Sequence, residues 1–188
     1  MRAFFAIELP EELKKKIFAR GQEIAKKTDV KLVEEENIHL TLLFLGEISE
    51  EEKERVVGAV GDIRGVGEIK LRLGETEIFP DKKRPHGIWI NVGGEKEKLF
   101  SLYKKIVDGV LKAGIRLEER EMRFSPHITI GRFKRGVGGS RDVGPAFAEA
   151  SAGKDIRGEF TVEKVALFQS QLSAKGPKYT KIGEFEVK

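Results

Sequence analysis

The sequence of 188 residues has no cysteine, which excludes disulfides, thiolate metal sites and a cysteine nucleophile together. It has only two methionines and a single tryptophan. No apolar run approaches the roughly 18 residues that a membrane-spanning helix needs. The opening, Met1-Arg2-Ala3-Phe4-Phe5-Ala6-Ile7-Glu8, meets charge too soon to be a secretory signal. A soluble, cytoplasmic protein with no membrane partner is therefore expected. The chain also lacks a carboxylate cluster suited to a divalent ion, so neither a metal nor a cofactor is expected.

Charge is what the sequence has in quantity. Charged residues make up 35% of it, against roughly 25% in average globular proteins. Hydrophobic residues, at 39%, still suffice for a packed core. A mixture led by Lys, Arg and Glu, with no cysteine, fits an intracellular protein adapted to heat. The net charge of +4 suits a polyanionic partner without demanding one. The length suits one sizeable domain, or two small lobes sharing a core.

Patterning gives a sequence of short elements. Arg2 to Glu8 reads as a strand. Pro10, Glu11 and Glu12 then open a helix whose apolar face carries Leu13, Ile17 and Ile24. Ile38 to Leu45 is a second strand. Ser49 and Glu52 form a capping box for a helix reaching about Ile63, weakened by Gly58 and Gly61. Glu68 to Leu73 and Gly87 to Val92 are strands, and Leu99, Leu102, Ile106, Val110 and Leu111 mark a long helix that stops near Gly114. Phe124 to Phe133 holds another strand. Arg135 to Lys154, rich in Gly, Ala and Ser, reads as a mobile connection. Thr161 to Phe168 and Tyr179 to Val187 close the chain as strands. Several strands follow one another directly, so the fold class is α+β with antiparallel pairing.

Two of the three histidines have threonine two positions later: His39-Leu40-Thr41 and His127-Ile128-Thr129. With six threonines in the chain, chance gives two such matches at a rate of roughly 0.3%. On a strand, period-two alternation sends His39 and Thr41 to one face and Ile38, Leu40 and Leu42 to the other. The same holds for His127 and Thr129. Two similar strands point to two similar lobes flanking a shared cleft. Imidazole titrates near neutral pH, so one ring can accept a proton while the other donates one. A neighbouring hydroxyl can hydrogen-bond a phosphate oxygen without adding charge. Two such pairs suit in-line displacement at phosphorus. His86, without a threonine partner, reads as a surface turn residue.

The paired motifs resemble those of the 2H phosphoesterase superfamily, in its LigT-like branch of RNA 2′,3′-cyclic phosphodiesterases and 2′-5′ RNA ligases. The resemblance extends to Arg2-Ala3-Phe4-Phe5-Ala6-Ile7, to His39 through Gly46, to Ile88-Trp89-Ile90-Asn91-Val92 and to Phe124 through Arg132. It implies a bilobal α+β fold, with two antiparallel β-sheets and flanking helices related by a pseudo-two-fold axis across a central cleft, in a single domain over 1–188. It implies hydrolysis of RNA 2′,3′-cyclic phosphate ends to 2′-phosphates, with tRNA fragments and small cyclic nucleotides among the candidate substrates. His39 and His127 are then catalytic, with His39 taken as the acid that protonates O3′ and His127 as the base. Thr41, Thr129 and Arg132 would bind phosphate. Regular alternation puts Arg132 on the face opposite His127, so either Gly131 marks a bulge that redirects it or it acts from outside the cleft. Phe5 and Tyr179 are candidate substrate contacts, and Lys82, Lys83 and Arg84 a candidate hold on an RNA backbone. The cleft is complete in one chain, so a monomer is expected. A 2′-5′ RNA ligase using the same histidines, or an RNA- or nucleotide-binding module, are the competing readings.

Overall fold

A computed structural model describes residues 1–61, 63–80, 85–119, 122–133, 145, 147–148, 156–173 and 176–188. Lys82, Lys83 and Arg84, and nearly all of the connection from Arg135 to Lys154, lie outside the described residues. The elements run β1 (Arg2–Glu8), α1 (Glu11–Ala25), β2 (Val30–Leu32), a 3-10 turn (Glu35–Asn37), β3 (His39–Glu47) and α2 (Glu50–Val60). They continue with β4 (Ile69–Phe79), β5 (Gly87–Gly94), α3 (Lys96–Lys112), β6 (His127–Phe133), β7 (Glu159–Val162), β8 (Lys164–Ser173) and β9 (Gly176–Glu186).

The class is α+β, and all strand pairs are antiparallel. The strand order is β7-β4-β5-β6-β3-β1-β8-β9, with β2 added on β6. Two four-stranded halves, expected as two sheets, are joined through β3 and β6 by the single pair Leu40↔Ile128. In each half a strand, a helix and a motif strand follow in order: β1-α1-β3 and β5-α3-β6, with β2 inserted in the first. The seam between the halves therefore runs between the two His-x-Thr segments.

The expected strand over Thr161–Phe168 is in fact two strands parted by Glu163. β7 pairs with β4 in one half and β8 with β1 in the other. The buried positions shift parity across Glu163-Lys164, from Phe160 and Val162 to Val165 and Leu167, which marks a break but does not say that the partner changes. One residue links strands far apart in the sheet order, so the sheet must curl to bring them together. β2 was not foreseen either: three residues are too short for a periodic signal.

Helices cover the side of the sheet away from the cleft. Leu13, Ile17 and Ile24 of α1 and Leu99, Leu102, Ile106 and Val110 of α3 are buried in one core with Leu40, Ile128 and Ile130. α1 comes so close to β6 that a Cβ on Gly21 would stand 2.8 Å from Ile130 Cγ2. The capping box of α2 is formed at both ends: Glu52 N–H donates to Ser49 Oγ at 3.1 Å and Ser49 N–H to Glu52 Oε2 at 2.7 Å. Removing the cap, Ser49→Ala, should lower unfolding free energy by about 1 kcal/mol without affecting activity, measurable by urea denaturation. A change below about 0.3 kcal/mol would show that this exposed cap contributes little.

Candidate active site

Each motif strand begins at its histidine, where the chain turns into the sheet. His39 Nδ1 donates to the carbonyl of Asn37 at 2.7 Å, and His127 Nδ1 donates to the carbonyl of Ser125 at 2.7 Å. A carbonyl can only accept, so each Nδ1 carries the proton and each neutral ring keeps its lone pair on Nε2. The two sites repeat this arrangement two residues upstream of each ring. His39 Nε2 lies 2.9 Å from Thr41 Oγ1, close enough to accept from that hydroxyl.

The two strands also share an irregularity. Between Phe5 and Ala6 of β1 the partner on β3 jumps from Leu43 to Thr41, leaving Leu42 as an extra residue. Between Ile88 and Trp89 of β5 the partner on β6 jumps from Gly131 to Thr129, leaving Ile130 extra. In consequence Leu42-Leu43 and Ile130-Gly131 both turn to the buried side, and alternation restarts one residue late. Arg132 therefore returns to the face of His127 and lines the cavity. Gly131 suits the bulge, since a Cβ there would meet the Lys31 carbonyl oxygen at 2.9 Å. By the same count Phe44, which is 48% exposed, takes in the first half the place that Arg132 takes in the second.

A cavity of about 550 Å³ lies between the halves. Its lining includes His39, Thr41, His127, Thr129, Arg132 and Tyr179, all singled out in the sequence. Phe5 is a correction. It is fully buried on the opposite face, packed on Phe185 at 5.7 Å between ring centroids. Its neighbour Phe4 is the aromatic on the cleft side, 5.1 Å from the His39 ring and 5.0 Å from Tyr179. Tyr179 meets His39 edge-on at 5.4 Å. His86 is exposed and outside the cavity lining.

Two contributors went unread in the sequence. Trp89 stacks on His127 at 3.6 Å and 15°, and Phe79 stacks on the other face of the indole at 3.8 Å. Parity could have shown this: Ile88 and Ile90 are fully buried, which leaves Trp89 for the cleft side. Asn37 is buried; it holds His39 through its carbonyl and donates from Nδ2 to the carbonyl of Pro177 at 2.9 Å. That bond ties the first motif to β9, a long-range link with no local signature.

The rings differ in electrostatics. Burial, the largest effect, lowers His39 to about 4; the Asn37 carbonyl opposes this, while Lys14, His127 and Arg132 reinforce it. His127 is also lowered by burial, against the Ser125 carbonyl and with Arg132. The His39 ring is thus neutral at neutral pH. Burial also pushes the Tyr179 phenol up, with Arg132 pulling the other way. Among the described residues no group of three or more His, Asp or Glu side chains is placed to hold a metal ion. Two neutral imidazoles with unprotonated Nε2 atoms, two hydroxyls and a guanidinium around one space can bind an anion and move protons on either side of it.

The chain matches the model of the LigT like phosphoesterase family over residues 7–89 and 92–179. It is 33% identical over 186 residues to an RNA 2′,3′-cyclic phosphodiesterase of Methanocaldococcus jannaschii, covering 98% of this chain and 100% of that one. An RNA 2′,3′-cyclic phosphodiesterase of Archaeoglobus fulgidus is 32% identical, with coverage of 99% and 100%. A crystal structure of a Thermus thermophilus protein superimposes with a TM-score of 0.80 at 28% identity, covering 100% of this chain and 98% of that one. E. coli LigT, crystallised with 3′-AMP, shares the fold with a TM-score of 0.77 at 23% identity, covering 99% and 97%. With the family's model matching nearly end to end, the chain belongs to the LigT-like phosphoesterase family.

Proposed function

We propose that this chain hydrolyses the 2′,3′-cyclic phosphate at an RNA end to a 2′-phosphate, with His39 and His127 as its acid–base pair. The observation that carries the reading is the repeated setting of the two rings. Each has Nδ1 fixed on a carbonyl two residues upstream, and both line one cavity. The relatives named RNA 2′,3′-cyclic phosphodiesterase supply the substrate class.

In the reaction, water attacks phosphorus in line with the bond to O3′. One imidazole takes the water's proton on Nε2 while the new O–P bond forms. The P–O3′ bond breaks, and O3′ takes a proton from Nε2 of the opposite imidazolium. Thr41, Thr129 and Arg132 hold the nonbridging oxygens, whose charge grows in the transition state. The negative phosphate also raises the proton affinity of both rings, which favours the imidazolium that the acid step needs.

The test is to incubate the protein, with EDTA present, with an oligoribonucleotide ending in a 2′,3′-cyclic phosphate and to identify the new end group. A 2′-phosphate is the expected product. An end left intact, or a 3′-phosphate, overturns the proposal; a 2′-5′ linkage on adding a 5′-hydroxyl RNA would indicate the ligase instead.

A further inference from the structure

Like charges directly across two strands repel, and the cavity wall holds such a pair. Lys31 of β2 and Arg132 of β6 are cross-strand partners, and both line the cavity. Cross-strand partners have Cβ atoms about 5 Å apart. Neither forms an ion pair with a carboxylate among the described residues. A third cation, Arg123, lines the same cavity four residues before His127. Among the described residues Glu34 is the one carboxylate in that lining. Arg132 is occupied by the reacting phosphate in the reading given above, so Lys31 and Arg123 are left without an anion. The cavity, at about 550 Å³, has the volume of sites that enclose whole drug-sized ligands, more than a cyclic phosphate and its ribose require.

We propose that Lys31 and Arg123 form a second phosphate site beside the reacting one, taking the phosphodiester that joins the last nucleotide to the one before it. The inference rests on the proposed function and names its substrate more closely: an RNA chain end is preferred over a free cyclic mononucleotide. Among the described residues β2 exists in one half only, so the cation row it completes gives the near-symmetric cleft a direction. The strand leaves the reacting phosphate along the β2–β6 wall, and Phe44 faces the other end.

The test compares binding of a diribonucleotide ending in a 2′-phosphate with that of a nucleoside 2′-phosphate, both reaction products that do not turn over. The wild type should bind the dinucleotide about tenfold more tightly, as expected for a charge-assisted contact weakened by exposure. The Lys31→Ala/Arg123→Ala variant should bring the two within about twofold, with mononucleotide affinity unchanged. The slope of log Kd against log salt for the dinucleotide should flatten by about 0.7, the value for one phosphate contact on a single strand. Both side chains are exposed, so an unchanged melting curve is expected, and Lys31→Glu should reduce dinucleotide binding further. Equal affinities in the wild type, or equal losses for both ligands in the variant, overturn the second site. Failure of the proposed function is read separately, as absence of turnover of a 2′,3′-cyclic mononucleotide by the wild type.

Discussion

Replacing either His39 or His127 with alanine should lower kcat for opening a 2′,3′-cyclic phosphate by about 10³-fold, the usual span for a positioned acid or base. Combining the two should cost little more than either alone, since an acid without its base, or the reverse, no longer acts as a unit. In the proposed mechanism the threonines act differently: each hydroxyl would hold an oxygen already bound by other groups. Thr41→Val and Thr129→Val should each cost about tenfold, the range of a single hydrogen bond to a charged acceptor. Single-turnover kinetics at saturating substrate read these numbers free of product release. His39 is packed between Phe4 and Tyr179, so His39→Gln, which keeps more of the volume, guards against a loss that merely reflects collapse of the pocket. A histidine variant that stays folded and within tenfold of wild type would end the two-histidine mechanism.

Much of this site was legible because it is strand-borne. Period two places a histidine and a threonine on one face without any long-range information, and the repetition of the motif announces the second half. The α2 cap and the long α3 were visible for the same reason, since their signals lie within a few residues of each other. Wherever a partner strand decides the outcome, local pattern fails. Arg132 reaches the cleft only because β6 carries an extra residue opposite β5, and the sequence showed no more than a glycine where a bulge was needed. Composition does not say which of Phe4 and Phe5 faces the cleft, because both belong to an aromatic, almost wholly buried strand whose adjacent rings point to opposite faces. The split of Thr161–Phe168 into β7 and β8 is a matter of which neighbour pairs with which stretch; the one local sign is Glu163-Lys164, where the buried parity shifts from Phe160 and Val162 to Val165 and Leu167. Lys31 shows the same limit at the smallest scale: three residues of β2 carry no periodicity, yet their pairing with β6 sets two cations side by side.

The site should also make the fold sensitive to acid, and His39 should be the main cause. Its ring titrates near 6.5 when unfolded and is lowered by burial to about 4 in the folded chain. Between those values the unfolded chain binds a proton that the folded chain refuses, so stability falls as pH drops from about 6.5 towards 4. Above 6.5 both states hold the neutral ring and the effect vanishes. At 1.36 kcal/mol per unit, this one ring accounts for about 3 kcal/mol over the whole window, and His127 adds to it in the same direction. His39→Gln removes the titrating group while keeping a polar side chain. Its unfolding free energy, measured in urea at pH 7 and pH 4.5, should therefore fall by about 2–3 kcal/mol less than that of wild type. Carboxylates that titrate over the same range are common to both proteins and cancel in the comparison. Parallel losses would mean that the ring accepts its proton without cost in the folded chain. A difference of the expected size would show the cleft holding His39 neutral at neutral pH, at the expense of stability in acid.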